Sequence, residues 1–276
     1  FCGRFGRALR QQIGLNDSSG FVGVMSQGTS GDSMWMDYSL PAWDGNLDTY
    51  TAEVAKAAFE GYRKIEYRTE ITLAMAEAKL SLRRRVPDEA RLNWAKEVAE
   101  KVGNRLPRGW SEVYAFEAID LHNHPTAELK LQAIRIGDLG ITAIPDEVFG
   151  ITGLKLKGRS PLQPTFNIEL ANGAEGYIPP PEQHALGGYT TWPAKTAGLE
   201  VAAEPQVVET LLTLLEKVAQ KPRRVLADPP TTYSKAVESL QPAAYWRLGE
   251  IDGDLAHDAT GQHDGQYEDG VARYLP

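Results

Sequence analysis

The sequence LKLQAIRIGDLGITAIPDEV, residues 129–148, contains the clearest strand pattern of the chain. It contains two apolar segments, Leu129 to Ile136 and Leu139 to Ile144, and the dipeptide Gly137-Asp138 lies between them. A glycine-containing dipeptide between two apolar runs is typical of a tight β-hairpin. The pattern therefore predicts two neighbouring strands in the middle of the sequence.

Both helices and strands are predicted around this hairpin. The segment from Glu204 to Gln220 has a wide apolar stripe at helical spacing and a proline in its first turn, so it predicts the strongest helix. Further helical patterns occupy residues 4–13, 48–65 and 87–102, and strand patterns occupy residues 21–25, 80–82 and 165–170. Because helices and strands alternate, the sequence predicts an α/β or mixed α+β fold.

Composition excludes several classes of function. The 276 residues carry a net charge of -8, which argues against a broad positive face for nucleic acid or anionic lipid. The single cysteine, Cys2, excludes an internal disulfide and a cysteine-based zinc cluster, so any metal would need His, carboxylate or Tyr ligands. No apolar run reaches the length of about 18 residues that predicts a transmembrane helix.

The character of the sequence changes after residue 220. Residues 221–232, KPRRVLADPPTT, combine three prolines with no apolar period, which is typical of an interdomain linker. Residues 233–276 begin a second unit that is expected to be incomplete, because a domain this small rarely folds without disulfides or metals. The chain begins with Phe1 and shows no signal peptide, so we also expect that a segment precedes it.

Two carboxylates follow the second strand of the hairpin, in Pro145-Asp146-Glu147. A carboxylate at the end of a buried strand can bind a metal or act as a general base. It can also cap a helix that begins there, and the residues alone slightly favour this cap.

Two tyrosines follow glycine-rich turns. Tyr177 lies in NGAEGYIPPP, residues 172–181, where two glycines and three prolines constrain the backbone. Tyr189 follows Gly187-Gly188. Either side chain can be a packing residue with a satisfied hydroxyl group, which is the commoner case, or a ligand or acid held in position, and both alternatives stay open.

Two other motifs give little support for a metal or catalytic site. His122 and His124 form a His-x-His pair, but no third ligand follows from the spacing, so a surface segment is favoured over a zinc site. Residues 30–33, SGDS, lack the G-x-S-x-G pattern of a nucleophile elbow and do not support a serine triad.

Three segments together resemble the neutral/alkaline (non-lysosomal) ceramidase family of zinc amidases. They are FVGVMSQGTSGDS at residues 21–33, IPDEVFGITGLKLK at residues 144–157 and GYIPPPEQHALGGY at residues 176–189. The resemblance covers residues 1–220 and implies a mixed α/β hydrolase domain that is truncated at its N-terminus. Met34 stands where some family members have a serine nucleophile, with Ser33 beside it.

The resemblance also implies roles for individual residues. Glu147 and Tyr177 match two zinc ligands, Tyr189 matches a tyrosine that stabilises the reacting carbonyl, and Asp32 is a weaker candidate for support of the site. The family's two zinc-binding histidines precede the Gly-Asp turn, and this chain has no histidine before His122, so they are expected upstream of Phe1.

The function expected from the resemblance is hydrolysis of a lipid-like or other N-acyl amide, such as ceramide, by water activated on Zn²⁺. The chain alone is expected to be inactive, because it carries only half of the zinc site.

Residues 233–276 resemble the start of a laminin-G or concanavalin A-like domain, a jelly-roll β-sandwich. This resemblance implies a secreted, periplasmic or cell-surface protein that binds glycans. The alternative function is therefore a non-catalytic surface, carbohydrate-binding or structural protein whose lectin-like tail carries the function.

Overall fold

The computed structural model describes residues 1–34, 36–41, 45–226, 231–251, 253–268 and 271. The chain has a mixed α/β fold and divides into two compact units. The first unit consists of residues 1–27 and 33–71, and the second of residues 28–32 and 72–276. Part of the predicted linker, residues 227–230, lies outside the described residues, as do residues 252, 269–270 and 272–276 of the predicted tail. The domain boundaries at residues 220 and 232 stay predictions.

Two packed helices form the first unit, α1 (Cys2–Ile13) and α2 (Leu47–Tyr62). The side chain of Asn46 caps α2 by accepting hydrogen bonds from the first-turn amides of Asp48 (2.9 Å) and Thr49 (3.1 Å). The strand predicted for residues 21–25 is wrong. Gly23 instead packs on Gly6 of α1, so closely that a Cβ atom on Gly23 would lie 2.8 Å from the Gly6 Cα atom.

A four-stranded sheet in the order β1-β2-β3-β5 forms the core of the second unit. Its strands are β1 (Leu73–Arg83), β2 (Thr126–Ile136), β3 (Leu139–Ala143) and β5 (Thr165–Ile168). The predicted hairpin is confirmed, since β2 and β3 are antiparallel with Ile136 opposite Leu139. β3 and β5 are parallel.

The predicted long helix is also confirmed, as α7 (Ala203–Ala219). It packs against β1 and β2, where Leu211, Leu212 and Leu215 are buried together with Leu129 and Leu131 of β2. Burial of these side chains is the main source of stability in this unit.

Two further helices form a hairpin, α3 (Glu89–Val102) and α4 (Trp110–Asn123). They pack through the small residues Ala95, Ala115 and Ala118. The sequence did not predict α4, because apolar and aromatic residues occur on both its buried and its exposed sides. Shorter elements complete the described chain: β4 (Glu147–Val148), α5 (Gly150–Arg159), β6 (Tyr177–Ile178), α6 (Pro181–Leu186), α8 (Thr232–Ser239), β7 (Leu255–Ala256) and β8 (Gly265–Gln266).

In the tail, β7 and β8 form a two-stranded antiparallel sheet. The buried carboxylate of Asp258 lies in the loop between them and accepts hydrogen bonds from the amides of His263 in the same loop (2.9 Å) and of Tyr245 before β7 (2.7 Å). The described part of the tail contains no β-sandwich, so the jelly-roll domain stays a prediction. Among the described residues, no helix is long and apolar enough to span a membrane.

Candidate functional site

Glu147 and Tyr177 lie opposite each other on two short parallel strands. β4 pairs with β6, so Glu147 is the partner of Tyr177 and Val148 is the partner of Ile178. The backbone amide of Tyr177 also donates to the carbonyl of Thr196 at 2.7 Å. Because Val148 and Ile178 are buried, the two strands are anchored in the core, and the paired Glu147 and Tyr177 side chains share one face.

The prediction that Asp146 or Glu147 caps a helix is wrong. Glu147 belongs to a strand, and α5 begins only at Gly150, after Phe149. The carboxylate that serves the start of α5 comes from the Gly-Asp turn, because the Gly150 amide donates to Oδ1 of Asp32 at 2.7 Å. Asp32 therefore supports the helix that directly follows β4.

Tyr189 contacts Tyr177 directly. It begins a short 3₁₀ turn, Tyr189–Thr191, and its ring meets that of Tyr177 edge to face, with centroids 5.4 Å apart and an interplanar angle of 88°. A side-chain hydrogen bond with Tyr189, partial burial and the negative charge of Glu147 raise the pKa of Tyr177 above its usual range. Tyr177 thus contacts both of the other residues that the family resemblance picks out, Glu147 across the strand pair and Tyr189 through its ring.

The Gly-Asp turn lies against the same strand. The Gly31 amide donates to the carbonyl of Val148 at 2.8 Å. A Cβ atom on Gly31 would lie 2.8 Å from the carbonyl oxygen of Glu147 and 3.0 Å from that of Val148. Glycine is required here because the two backbones approach too closely for any side chain.

Gly31→Ala is expected to destabilise the second unit by about 1–3 kcal/mol, the usual cost of forcing an extra methyl group into a packed site. Gly28→Ala is the matched control, because a Cβ atom there meets nothing within 4 Å. Urea unfolding of both variants checks the prediction. Equal stabilities for the two would contradict the close approach of the turn to β4.

A residue that the sequence reasoning missed, Glu169, holds this turn in place. Its buried carboxylate accepts hydrogen bonds from the Ser30 amide (3.2 Å), the Ser30 hydroxyl and the Val148 amide (3.1 Å). Burial raises the pKa of Glu169, and the bonds from Ser30 and Val148 oppose that rise. The signal in the sequence was an acidic residue at the end of an apolar strand, in TFNIEL, residues 165–170.

Asp146 holds the loop that precedes Tyr177. Its carboxylate is completely buried, Oδ1 accepts a hydrogen bond from the amide of Glu175, and Oδ2 has no partner among the described residues. Burial raises its pKa to about 7, together with the charge of Glu175 and against the hydrogen bond from the Glu175 amide. Asp146 therefore fixes the backbone of the loop that leads into Tyr177.

The available donors fit part of a zinc site. A carboxylate and a phenol oxygen, from Glu147 and Tyr177, are both possible zinc ligands. Among the described residues, however, no group of three His, Cys, Asp or Glu side chains could hold a metal ion. His122 and His124 are exposed at the end of α4. Glu147 and Tyr177 are thus two neighbouring oxygen donors, fewer than the four ligands that zinc commonly takes.

A scan against protein-family models gives no match for the chain. A search of curated proteins gives no significant match. Among solved structures, the neutral ceramidase from Pseudomonas aeruginosa matches with a TM-score of 0.49 and 15% identity, over 92% of this chain and 46% of that chain. A ceramidase complexed with C2 matches with a TM-score of 0.48 and 13% identity, over 83% and 44% of the two chains. The chain spans less than half the length of these ceramidases and is similar to part of their structure.

Proposed function

We propose that this chain forms part of a zinc-dependent amidohydrolase of the neutral ceramidase type, which hydrolyses an N-acyl amide. The observation that carries the proposal is that Tyr177 contacts both Glu147 and Tyr189, although the three residues are separate in the sequence. The family resemblance picks out the same three residues.

In this proposal Glu147 and Tyr177 hold the zinc ion, together with two histidines from residues before Phe1. Bound zinc supplies Lewis acidity, which polarises the amide carbonyl and makes water a nucleophile near neutral pH. The pairing of β4 with β6 fixes the spacing of the two ligands from this chain before any metal binds.

Tyr189 is placed to assist the chemistry. Its side chain is 58% exposed, so its hydroxyl is accessible to a substrate, while its ring is held against Tyr177. It donates a hydrogen bond to the amide oxygen as negative charge develops there. Asp32 and Glu169 act indirectly, by holding α5 and the Gly-Asp turn against β4.

The substrate class in the proposal is a lipid-like N-acyl amide, with ceramide as the family's example. We place the activity outside the cytoplasm, in the periplasm, at the cell surface or in the medium, because the tail resembles an extracellular domain.

The proposal is tested on the protein that includes the residues preceding Phe1 in its reading frame. We expect one zinc ion per chain by elemental analysis, and release of amine from a fluorescent N-acyl amide. A chelator should abolish the release and added zinc should restore it. An upstream segment without a histidine pair, or a protein without zinc, would contradict the proposal. Glycan binding by a protein with a complete tail and no zinc would favour the lectin-like alternative.

A further inference from the structure

The loop between α3 and α4, Gly103 to Gly109, carries unusually exposed apolar side chains. Leu106 is 84% exposed, and Trp110, the first residue of α4, is 77% exposed. The surrounding segment, KVGNRLPRGW at residues 101–110, has three cations and no acid in a chain whose net charge is -8. Apolar and positive character thus coincide at one place on the second unit.

This α3–α4 loop is held in shape by one carboxylate. Glu112 accepts two hydrogen bonds from the Arg105 guanidinium, at 2.5 and 2.7 Å, and one from the Arg108 amide at 2.7 Å. Arg105 also donates to the carbonyl of Leu106 at 3.0 Å. These hydrogen bonds hold the loop with Leu106 exposed. Binding through Leu106 therefore costs little further conformational entropy.

The position of Trp110 is also fixed, in this case by contacts between aromatic rings. Its ring stacks on that of Tyr114 with centroids 6.1 Å apart, and Tyr114 meets Trp192 edge to face at 5.7 Å. Trp192 directly follows the 3₁₀ turn that begins with Tyr189. A line of aromatic side chains thus connects the α3–α4 loop with the candidate site.

A bilayer with anionic headgroups matches this chemistry. Leucine and tryptophan side chains favour the boundary between headgroups and acyl chains, and Lys and Arg extend towards lipid phosphates. Glu112 neutralises part of the charge of Arg105, which leaves Lys101 and Arg108 as the main cations for such contacts. The net negative charge of the chain does not prevent docking, because charges beyond about 8 Å are screened at physiological ionic strength.

We propose that the α3–α4 loop docks the protein on a lipid bilayer that carries anionic headgroups. Leu106 and Trp110 enter the interfacial region, while Lys101 and Arg108 contact headgroup phosphates. The charge pattern excludes only a broad positive face, as the sequence indicates, and the docking surface is one short loop. The proposal concerns binding and does not depend on whether the chain hydrolyses an amide.

Vesicle flotation with the 276-residue chain tests the proposal. We expect it to float with vesicles of phosphatidylcholine that contain phosphatidylglycerol, and to stay unbound with phosphatidylcholine alone or at high salt. Leu106→Asp and Trp110→Ser should each lower the partition coefficient about tenfold or more. Leu240→Asp is the matched control, because Leu240 is 81% exposed and lies in the tail.

A second pair of variants separates local from net charge. Arg108→Glu and Lys221→Glu change the net charge equally, and both residues are exposed. Only Arg108→Glu should lower binding, by about fivefold or more, since each basic residue near an anionic surface contributes about 1 kcal/mol. All variants are at exposed positions, and circular dichroism confirms their folding.

Three results would overturn the proposal. The first is no flotation of the unmodified chain with the anionic vesicles. The second is equal binding to neutral and anionic vesicles, which would remove the role of the cations. The third is an equal loss of binding for Leu106→Asp and Leu240→Asp, which would show that the apolar contact is not local to this loop.

Discussion

Under the proposed function, Glu147→Gln is expected to remove bound zinc and to lower N-acyl amide hydrolysis by more than about 100-fold. Even residues that only support a metal ligand change metal affinity or activity by about 10- to 100-fold, so loss of a charged ligand should exceed that range. Glutamine keeps the size of the side chain and leaves the hydrogen bond between the Glu147 amide and the Gly176 carbonyl (3.0 Å) in place. The fold should therefore survive.

Zinc content and turnover, measured on the same preparation, check this expectation. Glu128→Gln is the control, because Glu128 is an exposed glutamate of β2. Tyr189→Phe should differ from both, with zinc retained and the turnover number lowered by about 100- to 1000-fold, the usual cost of losing one donor to a developing oxyanion. Full zinc occupancy and normal turnover in Glu147→Gln would show that Glu147 is not a zinc ligand.

Lys155→Met is expected to lower the free energy of unfolding by about 3–5 kcal/mol, because it leaves a buried carboxylate without its counterion. Lys155 on α5 places its ammonium group 3.1 Å from both carboxylate oxygens of Glu204 on α7. Thr152 donates to the same carboxylate at 2.9 Å. Glu204 is completely buried and the Lys155 side chain is 7% exposed, so water cannot replace the lost contact.

The loss should depend on pH. Burial raises the pKa of Glu204, and Lys155 and Thr152 oppose this rise. In Lys155→Met the pKa of Glu204 rises further in the folded state, while its value in the unfolded chain stays the same. The destabilisation is therefore full above the folded-state pKa and decreases as the pH falls through it and Glu204 takes up a proton.

Urea unfolding of a double-mutant cycle measures the coupling. Lys155→Met combined with Glu204→Leu should recover much of the stability, because two apolar side chains of similar size can replace a buried ion pair. Lys79→Met is the surface control, since Lys79 pairs with Glu128 at 2.8 Å and both side chains are more than half exposed. If Lys155→Met is as mild as Lys79→Met, the buried pair does not hold α5 to α7.

The parts of the fold that the sequence predicted correctly depend on local patterns. The β2–β3 hairpin follows from two apolar runs around Gly137-Asp138, and α7 follows from its apolar stripe. The strand predicted for residues 21–25 failed because a close contact between Gly23 and Gly6 decides its conformation. That contact leaves no periodic signal in the sequence.

In the candidate site, too, local patterns in the sequence missed contacts between distant residues. The resemblance named Glu147, Tyr177 and Tyr189, but local reasoning made Glu147 part of a helix cap. Its true partner is a strand formed by Tyr177 and Ile178, and pairing between distant strands cannot be read from one segment. Glu169 was missed for a related reason, since it bonds Ser30, which is 139 positions away.

The edge of the main sheet has a consequence for handling the protein. β1 is an edge strand of the sheet, with β2 as its neighbour. Apart from β2, the described residues form hydrogen bonds with the backbone of β1 mainly at its last residue, where the Glu200 amide donates to the Arg83 carbonyl at 2.9 Å. Backbone groups along an open edge can pair with a second molecule and start aggregation. Glu77 and Lys79 work against this, because charged side chains on an edge strand discourage such pairing. Neutral substitutions at these two positions, including the control Lys79→Met, should therefore be studied at low protein concentration.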